Sequence, residues 1–572
     1  MKWMYGLALS FALTCPELAT ACGGLFCDTA QPVNQEAERI LFVRDVDDPE
    51  LMHMHVQIRY QGPPTEFGWI LPVPPDVDSS LGLEGLFQAL DNSAAPIFGL
   101  TVNNLCSRGG GNRSAGGAGG AGGAGGGMGG GGGEFGGVQV LSRAQVGPYD
   151  QVVLDAVTVE DLRAWLDENA FQIPDSIDER LAPYIEQGSV FLALKLLPDQ
   201  DAGDIAPLHL TFTSPMPGIP LRPTAVAAEQ DMGILVHLLG ETRAVPLNYD
   251  HVRINDALVD WQSNGSNYAD VVSHAIDAAE GGRGFVTDSA DPSGGDAVAR
   301  QLALSLAFYE DMSWRMALSE VRDMRGWWAF VDAHEPPRGD VDLRRLLVSI
   351  VPEPEEDLSL FTWEDLLISC WGCEGLAERA EGIHARVADI AVDGPAILEA
   401  IEEQLLPATR HVVTSGERWP YLTRLFTTMS PDEMEQDPIF GFNADLPEVS
   451  RVRTATMNIY CDGADIVTPD GFSYAANNQT VVQRQNGQTV RGADEPPALA
   501  IERMREEGPP MILENYDEAL RTRYVAPARL GGSGQALEPE EGCDCSATGS
   551  GSAGWLWALL GLGFTRRRRG RC

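Results

Sequence analysis

The spacing of apolar residues changes along the chain and predicts strands towards both ends, with helices between them. From Leu51 to Tyr60 polar and apolar side chains alternate, which indicates a strand with one buried face. Strand patterns recur from 67 to 73 and at intervals between 189 and 239. From about 267 to 405 the apolar residues take helical spacing, and strand patterns return after 452. We therefore predict an α+β fold, in which a β-rich domain carries an inserted, mainly helical module.

Changes in composition divide the chain into parts with different roles. We predict a signal peptide (1–21), a β-rich N-terminal part (22–265) with a glycine-rich insert (109–137), a mainly helical module (266–410), a strand-rich part (411–530), a linker (531–550) and a short hydrophobic segment with arginines (551–572). The insert has too few apolar side chains to offset its conformational entropy, so we interpret it as a flexible loop. It lacks the Lys-Ser/Thr step that a phosphate-binding loop requires.

Two helix starts carry capping patterns. Thr158 precedes Asp161 by three positions, and Ser176 precedes Glu179 in the same way. A hydroxyl and a carboxylate at this spacing satisfy free backbone N–H groups in the first turn of a helix. We predict caps at both positions, and the pair that ends in Glu179 is the better match to the pattern.

The charge of the chain argues against one class of partner. Its 83 acidic and 40 basic residues give a formal net charge of −43 at pH 7. Binding to nucleic acid requires clustered Lys and Arg against the phosphates. We therefore expect no nucleic-acid partner, and such a charge favours solubility instead.

The N-terminus has the pattern of a secretory signal peptide. Lys2 is followed by an apolar stretch from Met4 to Leu13, and small residues precede a cleavage point after Ala21. Cleavage there leaves Cys22 as the first residue, which raises lipid attachment at Cys22 as an alternative. Ala19 stands where a lipobox usually has Leu.

The C-terminus combines two cysteines, a short apolar run and a group of arginines. The run from Gly551 to Thr565 spans about 22 Å as a helix, less than the ~30 Å of a bilayer core. With Cys543 and Cys545 before it and Arg566–Arg569 after it, the tail resembles a MYXO-CTERM sorting signal. That resemblance implies cleavage by a sorting protease and a lipid on Cys543 or Cys545. A short permanent anchor is the alternative.

Several blocks in the body of the chain resemble the bacterial domain-of-unknown-function family DUF2330. They are ACGGLFC from Ala21, PVNQEAERI from Pro32, VQIRYQG from Val56, FGWILPVP from Phe67, and a closing block from Tyr421 to Pro438. The resemblance extends from about Cys22 to Val449. It implies an exported bacterial envelope protein and supplies no catalytic residues, because the family has no established activity.

Six body cysteines are candidates for disulfides, because an exported chain with an even count favours oxidised pairs. They are Cys22, Cys27, Cys106, Cys370, Cys373 and Cys461. The sequence does not select among their connectivities. The Cys-Trp-Gly-Cys spacing at 370–373 also suits a redox motif, but it follows a helical segment rather than a strand, which favours a structural role.

His53 and His55 are the weak candidates for metal binding. They lie two residues apart on one face of a predicted strand, a spacing that places two imidazoles beside one ion. No further His or Cys cluster lies near them in sequence, so a solvated strand face is the interpretation we favour. We accordingly predict no metal and no cofactor.

These patterns favour an exported, surface-anchored envelope protein with a binding or scaffolding role, and they favour a non-enzyme over an enzyme. The expected partners are the membrane, through the tail or a lipid, and a sorting protease; the surface partner is undetermined. The alternatives are an envelope hydrolase with an unrecognised site, or a metal or redox protein.

Overall fold

The computed structural model describes residues 34–61, 68–106, 137–169, 171, 175–197, 205–354, 362–368, 386–525, 529–530 and 536–537. Its strands are β1 (Asn34–Arg44), β2 (Leu51–Gln61), β3 (Gly68–Val73), β4 (Asp78–Leu81), β5 (Ile97–Asn104), β6 (Val138–Val146), β7 (Tyr149–Ala156), β8 (Val190–Leu196), β9 (Leu208–Thr213), β10 (Ala228–Gly240), β11 (Arg243–Pro246), β12 (Asp250–Ile254), β13 (Gly284–Asp291), β14 (Tyr421–Met429), β15 (Phe440–Asn443), β16 (Val452–Tyr460), β17 (Gly463–Val467), β18 (Ser473–Ala475), β19 (Gln483–Gln485), β20 (Gln488–Arg491), β21 (Ala498–Arg503), β22 (Met511–Asn515), β23 (Arg529–Leu530) and β24 (Ala536–Leu537). Its α-helices are α1 (Glu84–Ala94), α2 (Val159–Glu168), α3 (Asp178–Glu186), α4 (Leu221–Thr224), α5 (Tyr268–Ile276), α6 (Gly294–Glu310), α7 (Arg315–Ser319), α8 (Met324–His334), α9 (Val341–Ile350), α10 (Trp363–Ile368), α11 (Gly394–Ala400), α12 (Leu406–Arg418) and α13 (Asp517–Arg523). A π-helical turn, Ile401–Leu405, joins α11 to α12.

The main sheet has ten strands in the order β22-β21-β12-β13-β14-β10-β1-β2-β9-β4. It is mixed, since β1 runs parallel to β10 and antiparallel to β2. The strand β14 comes late in the chain, yet it lies between β10 and β13 and is antiparallel to both. Separate four-stranded sheets have the orders β3-β8-β7-β6 and β18-β17-β16-β5.

Apolar cores lie on both faces of the central strands. On one face, β1, β2, β9 and β10 pack against the four-stranded sheet that contains β3, β7 and β8. On the other face, side chains of β1, β10 and β14 pack against α1 and a helical layer that runs from α6 to α12. The α+β prediction is confirmed. The range 266–410, predicted as mainly helical, contains these helices and also β13, which is part of the main sheet.

One of the two predicted helix caps is present. Thr158 caps α2, where its side chain accepts a hydrogen bond from the Asp161 N–H. The Ser176 prediction is wrong: α3 begins after Ile177, and no side chain caps it. Residues 175–177 form a 3₁₀ turn instead, so Ser176 lies within that turn rather than at the helix start.

Among the described residues, no helix is both long enough and apolar enough to cross a membrane. The signal peptide and the C-terminal segment of the sequence predictions lie outside those residues.

Candidate metal centre

Four histidines from three distant parts of the chain meet on the helix-covered face of the main sheet. His53 and His55 lie on β2, and His209 lies on β9 directly opposite His55. His411 lies on α12, and its ring centroid is 4.0 Å from that of His53. The cluster is thus enclosed between two neighbouring strands and one helix.

The strand alternation explains why these side chains point to the helices. Met52, Met54 and Val56 of β2 enter the core between the two sheets, so the residues between them face the opposite way. The same alternation in β9 buries Leu208 and Leu210 and turns His209 towards the helical layer.

The predicted solvated face of β2 is therefore wrong. His53 is 6 % exposed and His55 is 2 % exposed, because the helical layer covers this side of the sheet. Gln57, the next residue on this face, receives a hydrogen bond from Arg39 and donates one to Glu84 of α1.

Three of the imidazoles place one ring nitrogen each within 4.8 Å of the others: His53, His209 and His411. Nδ1 of His53 and Nε2 of His209 are 2.9 Å apart. A zinc ion with Zn–N bonds of about 2.0–2.1 Å would separate two tetrahedral nitrogens by about 3.3–3.4 Å. To bind one ion, the nitrogens of His53 and His209 would separate by about 0.5 Å, and a pair at the 4.8 Å limit would close by about 1.4 Å.

Asp45 fixes the orientation of His53. Its Oδ2 lies 2.9 Å from Nε2 of His53, while its Oδ1 accepts the N–H groups of Asp47 and Asp48, each at 2.9 Å. Burial raises the pKa of Asp45, but the hydrogen bonds from Asp48, Asp47 and His53 outweigh this and lower it to about 2. The ionised carboxylate keeps a proton on Nε2 of His53, so Nδ1 carries the lone pair that faces the cluster.

The environment keeps these rings uncharged at neutral pH. Burial, followed by the neighbouring imidazoles, lowers the pKa of His209 to about 3. Burial and His53 likewise lower the pKa of His411 to about 4, and burial holds the pKa of His55 well below its usual value. A neutral imidazole is the form that binds a metal ion, so no proton has to leave a histidinium first.

Several polar atoms of the cluster have no hydrogen-bond partner among the described residues. They are both ring nitrogens of His55 and Nε2 of His411. A buried polar atom without a partner costs about 1–3 kcal/mol. These atoms indicate that the cluster suits a further group, either a metal ion or a bound water.

Two chemical roles suit this arrangement. One is a hydrogen-bonded chain in which His209 donates to His53 and His53 donates to Asp45, with Ser80 Oγ 3.4 Å from Nδ1 of His209. The other is a metal centre with three imidazole donors and a carboxylate behind one of them, an arrangement typical of zinc sites. In the hydrogen-bonded chain of side chains, His55 has no hydrogen-bond partner. A metal ion that carries its own ligand would supply a partner for His55.

Sequence reasoning identified His53 and His55 as weak metal candidates, but it missed His209 and His411. His209 had a signal, because it occupies the same polar phase of an alternating strand as the β2 histidines. Its position opposite His55 depends on the pairing of β2 with β9, which brings His209 to His53 across 156 residues of sequence. Periodicity does not reveal such a pairing.

Cys106 and Cys461 form a disulfide at the ends of the paired strands β5 and β16. The other disulfide candidates, Cys22, Cys27, Cys370 and Cys373, lie outside the described residues, as do Ala21, Cys543 and Cys545.

Comparison with known proteins identifies a family and no function. No curated protein and no solved structure matches the chain. A family model described as an uncharacterized protein conserved in bacteria matches residues 16–308, so the resembling block from Tyr421 lies beyond the match. Since this match covers half of the chain, the protein belongs to the DUF2330 family.

Proposed function

We propose that this protein is an exported, surface-held binding protein, and that it binds a first-row transition-metal ion through His53, His209 and His411. The main support for the metal site is that three imidazole nitrogens lie within 4.8 Å of one another. They come from two strands and a helix far apart in the chain.

The donor set favours zinc and its neighbours in the first transition row. Imidazole suits Zn, Cu, Ni and Fe, whereas Ca and Mg prefer oxygen ligands. Asp45 behind His53 supplies the carboxylate that often orients a metal-binding histidine. The three rings are neutral at pH 7, so the site is ready to accept a cation.

Two features support the export part of the proposal. The termini have the composition of a signal peptide and of a sorting signal with Cys543 and Cys545 as attachment points. The Cys106–Cys461 disulfide suits an oxidising compartment outside the cytoplasm. Mass spectrometry of the mature protein from membranes tests both ends, and a C-terminus that retains Arg566–Arg569 would contradict cleavage.

Metal content tests the site directly. The full-length chain is equilibrated with excess Zn²⁺, dialysed, and its zinc measured by inductively coupled plasma mass spectrometry. Because the cysteines outside the described residues can also bind zinc, the deciding quantity is a difference between variants. We expect His411→Ala to hold one ion per chain fewer than the matched variant His334→Ala, whose histidine contacts Phe330 on α8 and is not one of the converging donors. Equal zinc in the two variants would refute the site.

A further inference from the structure

We propose that the ion at this site carries an exchangeable fourth ligand, water or a small anion, and that His55 holds this ligand by a hydrogen bond. The inference deepens the proposed metal site and depends on it. It assigns a role to the one histidine of the cluster that is not among the three converging donors.

His55 lies beside the site but is not one of the three converging donors. Its ring is nearly parallel to that of His209, with 4° between the planes and 4.2 Å between the centroids. Among the described residues, the ring nitrogens that lie within 4.8 Å of one another belong to His53, His209 and His411, and His55 is not part of that group.

His55 nevertheless requires a polar partner at this position. It is 2 % exposed, and neither of its ring nitrogens has a hydrogen-bond partner among the described residues. Its ring centroid lies 5.6 Å from that of His411, whose own centroid is 4.0 Å from that of His53. A ligand on the ion would give His55 a partner from within the cluster.

The three donors leave room for such a ligand. A zinc-type ion with three protein ligands keeps its fourth position for water or another small molecule. Among the described residues, no fourth donor joins His53, His209 and His411. His209 and His411 are only partly buried, so the ligand can exchange with solvent.

The charge of the site selects the class of ligand. A divalent cation with three neutral imidazoles and the carboxylate of Asp45 leaves a net positive centre, which attracts an anion. The chain as a whole carries a formal charge of −43, which disfavours large polyanions. Water, hydroxide and small monoanions are therefore the expected ligands.

Cobalt substitution tests the open position, because the visible spectrum of Co²⁺ reports its ligands. The full-length chain is loaded with Co²⁺, and the spectrum of His411→Ala is subtracted to remove cobalt bound by cysteines. We expect a saturable change in this difference spectrum when sodium azide is added to the wild type. An unchanged spectrum, with the ion still bound, would overturn the inference while the metal site stands. If cobalt binding did not depend on His411, the metal site would be refuted, and this inference with it.

The role of His55 is tested by His55→Phe, which keeps an aromatic ring against His209 and removes both nitrogens. We expect the cobalt content to be retained and the azide affinity to fall by about three- to tenfold, as for the loss of one hydrogen bond. His55→Gln should recover part of that affinity, and His334→Phe should match the wild type. Loss of the cobalt itself in both His55 variants, with folding retained by circular dichroism, would show that His55 is a direct ligand and would refute the proposed role.

Discussion

A buried carboxyl group on β1 gives the sharpest test of the described core. Glu38 is 2 % exposed and lies between Ile58 of β2 and Ile234 of β10. Its Oε2 has no hydrogen-bond partner among the described residues. Burial raises the pKa of Glu38 from 4.5 to about 7. We expect Glu38→Gln, which has nearly the same shape, to remove this titration from the folded state.

The magnitude follows from the pKa difference between the folded and unfolded states. Because the folded pKa of Glu38 is raised, its contribution is most favourable below pH 4.5 and becomes less favourable as the pH rises through 7. Integration with these two pKa values gives a cost of about 1 kcal/mol at pH 5.5 and about 3 kcal/mol at pH 8. The wild type should therefore lose about 2 kcal/mol relative to Glu38→Gln between these two pH values.

Urea denaturation of both proteins at pH 5.5 and pH 8 measures this difference. Comparing the two proteins at each pH cancels the other titrating groups, which are the same in both. Glu229→Gln, which removes an exposed carboxylate from β10, is the matched control and should show no such dependence. If the free-energy difference between wild type and Glu38→Gln were the same at both pH values, the burial of an ionisable Glu38 in this core would be refuted.

Three further changes test the site and its supports. Asp45→Asn keeps an oxygen for the loop N–H groups but removes the charge behind His53. Zinc affinity, measured by chelator competition, should therefore fall by about 10- to 100-fold. Unchanged affinity would exclude this orienting role. Cys461→Ser removes the disulfide bond with Cys106 and should lower the free energy of unfolding by about 2–5 kcal/mol. An unchanged free energy of unfolding would show that the disulfide does not stabilise the fold. Gly416→Ala would place a Cβ atom 2.6 Å from a backbone oxygen of α6, so it should destabilise the fold by about 1–3 kcal/mol despite the better helix propensity of Ala. A thermal melt equal to that of the wild type would show that α6 and α12 can separate at no cost.

Local patterns predicted the elements of this chain better than its site. The alternation of β2 gave the strand and its buried face correctly, because Met54 and Val56 do enter the core. The same alternation led to a wrong interpretation of the face that carries His53. Periodicity distinguishes the two faces of a strand, but it does not show whether a helix from elsewhere covers the polar one.

Distant pairings account for the rest of what the sequence did not reveal. Cys106 and Cys461 are separated by 355 residues, and their pairing follows from the parallel contact of β5 with β16. The metal candidates are comparable, because His209 and His411 reach His53 only when β9 and α12 are in place. Such contacts depend on topology, for which a single sequence provides no periodic signal.

The place of β14 in the main sheet has a consequence for the order of folding. This strand, Tyr421–Met429, lies between β10 and β13. Until β14 has paired with them, β10 and β13 have no hydrogen-bonded contact with each other. Before β14 is in place, the earlier strands of the main sheet fall into two separate groups, β10-β1-β2-β9-β4 and β12-β13, and β21 and β22 come later still. The edges of β10 and β13 stay open until β14 joins them, and the other edge of β12 stays open until β21 does. We expect folding of this protein to be slow and largely post-translational, since long-range strand pairing carries a large entropic barrier.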